Sequence, residues 1–124
     1  DEGISQSEQI GEAFKRQGIP VGRVLSSPFH RCVDMGKIAF GKAEVDGRLI
    51  STRNRITTAG SRIRYLRGLL SSPVSGDGNL VLISHKPNIK DAAGISLSEG
   101  EAAVCRPRGD GEIDAVAIVP FDGW

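Results

Sequence analysis

The chain has few aromatic residues and no long apolar run. Aromatic side chains make up 5% of its 124 residues, so a core must be built mainly from Val, Ile, Leu and Ala, which favours layered α/β packing. No stretch approaches the length of a membrane-spanning helix. The net charge of +1 is too near balance for the whole surface to bind a polyanion. We therefore expect one domain over residues 1–124 whose partners include neither nucleic acid nor membrane.

Cysteine is also scarce, and the metal-ligating residues lack metal-site spacing. Cys32 and Cys105 each sit among apolar neighbours, and one pair in a chain of this size does not indicate a disulfide framework. We expect two buried thiols. Together with His30 and His85 they show no zinc-like spacing, so we expect no metal and no cofactor.

Helical and strand patterns alternate along the chain. Three-to-four spacing of apolar residues predicts helices over 3–17, 28–40 and 56–70, and a short helix from Pro87 to Gly94. Short apolar runs predict buried strands over 23–26 and 79–84, then a hairpin of 102–105 and 113–119, with a short extended piece at 49–50. This order predicts an α/β fold, a three-layer sandwich with a mostly parallel sheet and an antiparallel edge.

Two turns that join a strand to a helix are candidates for an anion site. Ser27 is a good N-cap and Pro28 a good first helical residue, which would place Arg31 in the first turn of the second helix. His85 follows the predicted strand 79–84 in the same way. Ligands of open parallel sheets bind beyond the carboxyl ends of the strands, near helix N-termini. If the two strands are neighbours, Arg31 and His85 should face one anion.

These turns carry a family resemblance. The segment Val-Leu-Ser-Ser-Pro-Phe-His-Arg at 24–31 is similar to the Ser-Ser-Pro-x-x-Arg motif of the histidine phosphatase superfamily, which is phosphoglycerate-mutase-like. Val-Leu-Ile-Ser-His-Lys-Pro-Asn at 81–88 resembles its Gly-His-x-Pro-Asn motif, with Ser84 in place of the usual glycine. Residues 1–11 resemble the first helix of that family.

The resemblance implies phosphoryl transfer through a phosphohistidine. It makes Arg31 the second arginine and His85 the second histidine of a phosphate pocket, whose ligand would be a phosphorylated small molecule or a phosphate anion. The family's nucleophile lies in an Arg-His-Gly motif at the end of its first strand, and this sequence contains no Arg-His-Gly. We therefore expect the C-terminal two-thirds of such a domain, without the first strand and inactive alone. The alternative is a non-catalytic module that binds phosphate ligands.

Three further expectations concern the surroundings of this pocket. The general acid is left open between Glu44 and Asp91. The arginines at 48, 53, 55, 62, 64 and 67 form a stretch without acids, predicted to be a solvated face and, as the minor alternative, a contact for an anionic substrate or nucleic acid. A missing central strand would leave main-chain groups unpaired, which predicts partial unfolding or self-association.

Overall fold

A computed structural model describes residues 2–53 and 59–124. The helices are α1 (Glu2–Gln17), α2 (His30–Phe40), α3 (Ala59–Ser71) and α4 (Lys86–Ala93), and a short 3₁₀ helix spans Gly47–Leu49. The strands are β1 (Val21–Ser26), β2 (Glu44–Val45), β3 (Asn79–Ile83), β4 (Ala102–Gly109) and β5 (Glu112–Val119). The predicted helix start at 56, and Arg55 before it, lie outside the described residues.

The strands of the described chain form two sheets. The order β2-β1-β3 makes a parallel three-stranded sheet with β1 in the centre, where Leu25 is opposite Glu44 on one side and Leu82 on the other. β4 and β5 pair antiparallel as predicted, but as a separate two-stranded sheet. Their turn uses positive φ angles at Gly109, Asp110 and Gly111, where glycine avoids steric cost. The predicted α/β class with a mostly parallel sheet is confirmed.

The core lies on both faces of β1, because successive side chains of a strand point to opposite faces. One cluster of buried residues lies between the sheet and the helices α3 and α4, and contains Leu25, Leu49, Leu66 and Ala92. A second cluster on the α2 face contains Val24, Cys32 and Ile83. The parallel sheet is therefore covered by helices on both faces, which is the three-layer arrangement. None of the helices within the described ranges combines the length and apolar character that a membrane crossing requires.

The start of α2 differs from the prediction. The helix begins at His30 rather than Pro28, and its N-cap is Phe29, which is extended with φ −63° and ψ 138°. The main-chain N–H of Ser27 donates to the carbonyl oxygen of Ile83 at 2.8 Å. Ser27 therefore continues the hydrogen bonding between β1 and β3, and the chain must bend at Pro28 and Phe29 before a helix can start.

Two strand predictions were also wrong in detail. The extended segment of the 42–55 region is β2 rather than 49–50, because a side-chain oxygen of Asp46 accepts the N–H of Arg48 and caps a 3₁₀ turn there. β3 is not fully buried: Asn79 is exposed and only Ile83 is buried. Within the described ranges β3 has a strand partner on one edge only, β1.

A pair of glycine substitutions should test the packing of α1 on α2. A Cβ atom at Gly11 would lie 2.3 Å from the carbonyl oxygen of Ala39, whereas nothing lies within 4 Å of a Cβ at Gly68, in the middle of α3. We expect Gly11→Ala to lower the free energy of unfolding by about 1–3 kcal/mol. Gly68→Ala should raise it by up to about 1 kcal/mol, through helix propensity alone. Denaturant titration measures both, and equal effects would contradict the close approach of these helices.

Candidate active site

The two predicted turns lie side by side. β1 and β3 are adjacent and parallel, with Ser26 opposite Ile83 at their carboxyl ends. Arg31 is the second residue of α2, which follows β1, and His85 is the N-cap residue of α4, which follows β3. The neighbouring-strand arrangement on which the sequence prediction depended is therefore present. Both turns also direct a helix N-terminus toward this edge of the sheet, where backbone dipoles favour an anion.

The His85 ring is held by residues of the other turn. Its Nε2 atom lies 2.8 Å from the Oγ atom of Ser27, which is fully buried. The ring of Phe29 meets the imidazole edge-on, with 4.8 Å between the centroids. Burial lowers the pKa of His85 below its usual value, so the imidazole is neutral at neutral pH. The sequence prediction gave Ser27 only a capping role; its position directly after the strand was the available signal.

Three charged side chains near the starts of α2 and α4 interact with one another. Lys86 Nζ lies 2.6 Å from Glu99 Oε1. The hydrogen bond from Lys86 lowers the pKa of Glu99, and the charge of Arg31 contributes to the same shift. Arg31 is exposed, so it and Lys86 offer two cations to a ligand. Glu99 is a carboxylate that competes for them.

A buried amide fastens a loop to the start of α4. The Asn88 side chain accepts a hydrogen bond from the N–H of Thr52 at 2.9 Å. It donates to the carbonyl oxygens of Leu49 and Ile50 at 3.2 and 3.0 Å. Ser84, which stands where the family has glycine, donates its hydroxyl to Leu49 O at 2.7 Å. Segment 49–52 is therefore fixed beside the turn that carries His85.

Both candidates for the general acid are engaged in ion pairs. Arg23 binds Glu44 at 3.0 Å, and its hydrogen bond lowers the pKa of that carboxyl. Asp91 accepts a hydrogen bond from Thr52 Oγ1 at 2.7 Å and another from Arg53 at 2.9 Å, and the Thr52 bond is the main reason that its pKa is lowered. Neither carboxyl carries a proton at neutral pH. Neither is therefore suited to protonate a leaving group.

The arginine stretch is largely the solvated face that the sequence indicated, since Arg48, Arg53, Arg64 and Arg67 are exposed. Arg62 is buried, and three others make internal contacts: Arg48 with Asp46, Arg53 with Asp91, and Arg67 with the carbonyl oxygen of Ala92. The acids that neutralise the first two come from outside the stretch. The charge available to a large anionic partner is correspondingly smaller.

The two cysteines are free. Cys32 is buried, as predicted, while Cys105 is only half-buried. Burial raises the pKa of both thiols, so neither is a ready nucleophile. The described residues contain no group of three or more His, Cys, Asp or Glu side chains placed to hold a metal ion.

The fold, with two helix-starting turns at adjacent strand ends, is similar to that of a solved histidine phosphatase. A solved structure of the protein histidine phosphatase SixA complexed with tungstate has a TM-score of 0.68 to this chain, at 20% sequence identity. The match covers 98% of this chain and 82% of SixA. No protein-family model matches the sequence, and no curated protein matches it either. At this level of identity the likeness establishes the fold.

Proposed function

We propose that this chain is part of a phosphomonoester hydrolase domain, in which Arg31 and His85 bind the phosphoryl group. The observation that carries the proposal is the placement of these residues at the starts of α2 and α4, after two adjacent parallel strands. A guanidinium and a neutral imidazole there supply hydrogen-bond donors to phosphate oxygens. The fold shared with SixA supports the same reading.

The proposed chemistry proceeds through a phosphohistidine. A histidine of an Arg-His-Gly strand attacks phosphorus, the bond between phosphorus and the ester oxygen breaks, and that oxygen takes a proton from solvent and leaves as the alcohol. Water then attacks the phosphohistidine and releases inorganic phosphate and the free imidazole. Arg31 would stabilise the charge on the equatorial oxygens during both steps, and His85 would donate a hydrogen bond to one of them.

The sequence contains no Arg-His-Gly, so we propose that this chain holds only part of the phosphate pocket and does not hydrolyse phosphate esters alone. A completing strand would pair with the second edge of β3, which has no strand partner within the described ranges. An open strand edge also favours pairing with other chains. Self-association of this chain stays a prediction on that ground.

A second candidate is a binding module that holds a phosphate ligand without hydrolysing it. It is favoured by the same observation, because Arg31, Lys86 and His85 need no nucleophile to bind an anion. The two candidates agree on the ligand and on the residues that contact it. They differ in what happens when the missing motif is added.

Removal of Arg31 should test the shared part of both candidates. We expect Arg31→Ala to weaken the binding of inorganic phosphate roughly tenfold to a hundredfold, the usual worth of a hydrogen bond to a charged group. Arg106→Ala removes the same charge from the exposed face of β4 and should leave phosphate affinity within about twofold. Titration calorimetry gives both dissociation constants. Equal losses in the two variants would indicate attraction by overall charge and contradict the site.

A further inference from the structure

The hydroxyl of Ser27 is placed to determine which ring nitrogen of His85 faces a ligand. Ser27 is fully buried, with 0% of its surface exposed. Its main-chain N–H is bonded to Ile83, two residues before His85. Its Oγ atom is 2.8 Å from Nε2 of the imidazole. The serine is therefore held in place by the strand that carries the histidine, and Nδ1 is the ring nitrogen left for a ligand.

From this geometry we infer that Ser27 is a positioning residue, which holds neutral His85 with its proton on Nδ1. The inference rests on the proposed phosphate site and adds the atom by which His85 contacts the anion. A neutral imidazole has one donor and one acceptor nitrogen, and the partner of one fixes the role of the other. A hydroxyl that donates to Nε2 makes Nε2 the acceptor. Nδ1–H then donates to a phosphoryl oxygen.

The hydrogen bonds around Ser27 favour this direction. Its Oγ atom accepts the N–H of Phe29 at 3.4 Å, so its own proton is free to be donated. The competing acceptor is the sulfur of Cys32, whose thiol lies 3.8 Å from the carbonyl oxygen of Ser84. Burial raises the pKa of the Cys32 thiol, and a hydrogen bond with Ser27 lowers it by a smaller amount. Cys32 is therefore a neutral thiol rather than a thiolate. Thiol sulfur is a weak acceptor and imidazole nitrogen a strong one, so the Ser27 hydroxyl donates its hydrogen bond to Nε2.

The tautomer can be read directly from the nitrogen chemical shifts of the imidazole. The chain has only two histidines, and exposed His30 serves as an internal reference. We expect the unaltered protein, at a pH where both rings are neutral, to show a protonated Nδ1 and an unprotonated Nε2 at His85. Ser27→Ala should shift His85 toward the Nε2–H form and weaken phosphate binding about three- to tenfold. Ser27→Thr keeps the hydroxyl and should restore both properties.

These experiments distinguish a failure of the role inferred for Ser27 from a failure of the proposed phosphate site. A protonated Nε2 in the unaltered protein overturns the inference, whether or not Ser27→Ala folds. An unchanged tautomer in folded Ser27→Ala overturns it as well. A tautomer change with no phosphate binding by the unaltered chain would support the role of Ser27 and reject the proposed function. Phosphate binding that needs Arg31 but is indifferent to Ser27→Ala would reject only the role of Ser27.

Discussion

The chain as it stands is expected to hydrolyse an aryl phosphate no faster than buffer. A version extended by an N-terminal strand ending in Arg-His-Gly is expected to turn the same compound over on the order of 10⁶-fold faster than the uncatalysed reaction. The reason is that Arg31 and His85 would stabilise charge in the proposed site without attacking phosphorus, whereas the added motif would supply the attacking imidazole. Release of the coloured phenol in a steady-state assay measures both rates.

Variants of the extended chain decide which residues carry this activity. Replacement of the added histidine by alanine should abolish turnover, and Arg31→Ala should reduce it strongly, since it removes charge stabilisation from the transition state. If the original chain hydrolysed the ester and its His85→Ala variant did so equally well, the proposed role of His85 would be wrong. An extended chain that binds phosphate but never hydrolyses an ester would favour the binding module.

Asn88→Ala should be among the most destabilising single substitutions in the described chain. The side chain is 2% exposed and makes three hydrogen bonds to the main chain of segment 49–52. Its removal leaves the buried N–H of Thr52 and the part-buried carbonyl oxygen of Ile50 without that partner, at about 1–3 kcal/mol for each buried unsatisfied group. We expect the free energy of unfolding to fall by about 2–4 kcal/mol, as measured by urea titration.

Asn79→Ala is the matched control for that substitution. Asn79 is exposed, and its amide makes one hydrogen bond, to the carbonyl oxygen of Pro20 at 2.8 Å. We expect a loss below about 1 kcal/mol, as for other single bonds near solvent. A similar loss in the two variants would mean that Asn88 does not fix segment 49–52. The phosphate affinity of Asn88→Ala should also be measured under conditions in which the variant is folded. A lower affinity than that of the unaltered chain would show that segment 49–52 contributes to the site.

Elements with a strong local signal could be predicted from the sequence. α1 has apolar positions on one face and ends before Gly18, and it was placed within one residue of its observed start. The turn of the β4–β5 hairpin needs positive φ angles, and its glycines indicate it. Arg31 and His85 were placed at the strand ends because strand, turn and helix follow one another in a few residues. Such features depend on neighbours in the chain, which a sequence displays directly.

The remaining features depend on residues distant in the chain. β2 has two residues and exists because β1 lies beside it, so no run of apolar residues marks it. Ser27 forms a hydrogen bond with His85 of the other turn instead of capping its own helix. The local sequence around Ser27 predicts only the capping role. Asn88 likewise meets a segment some 36 residues earlier. The partners of these residues are brought close only by the tertiary fold, so the local sequence does not predict them.

The division of the strands into two sheets has a consequence for how the molecule opens. In the part of the chain that is described, β4 and β5 pair as strands only with each other, and α3 packs against both. Detachment of this hairpin breaks side-chain contacts but no rung of the β1–β3 ladder. Native-state hydrogen exchange should therefore resolve two cooperative units. The amides of the hairpin should exchange through a partial opening, and those of the parallel strands only through global unfolding.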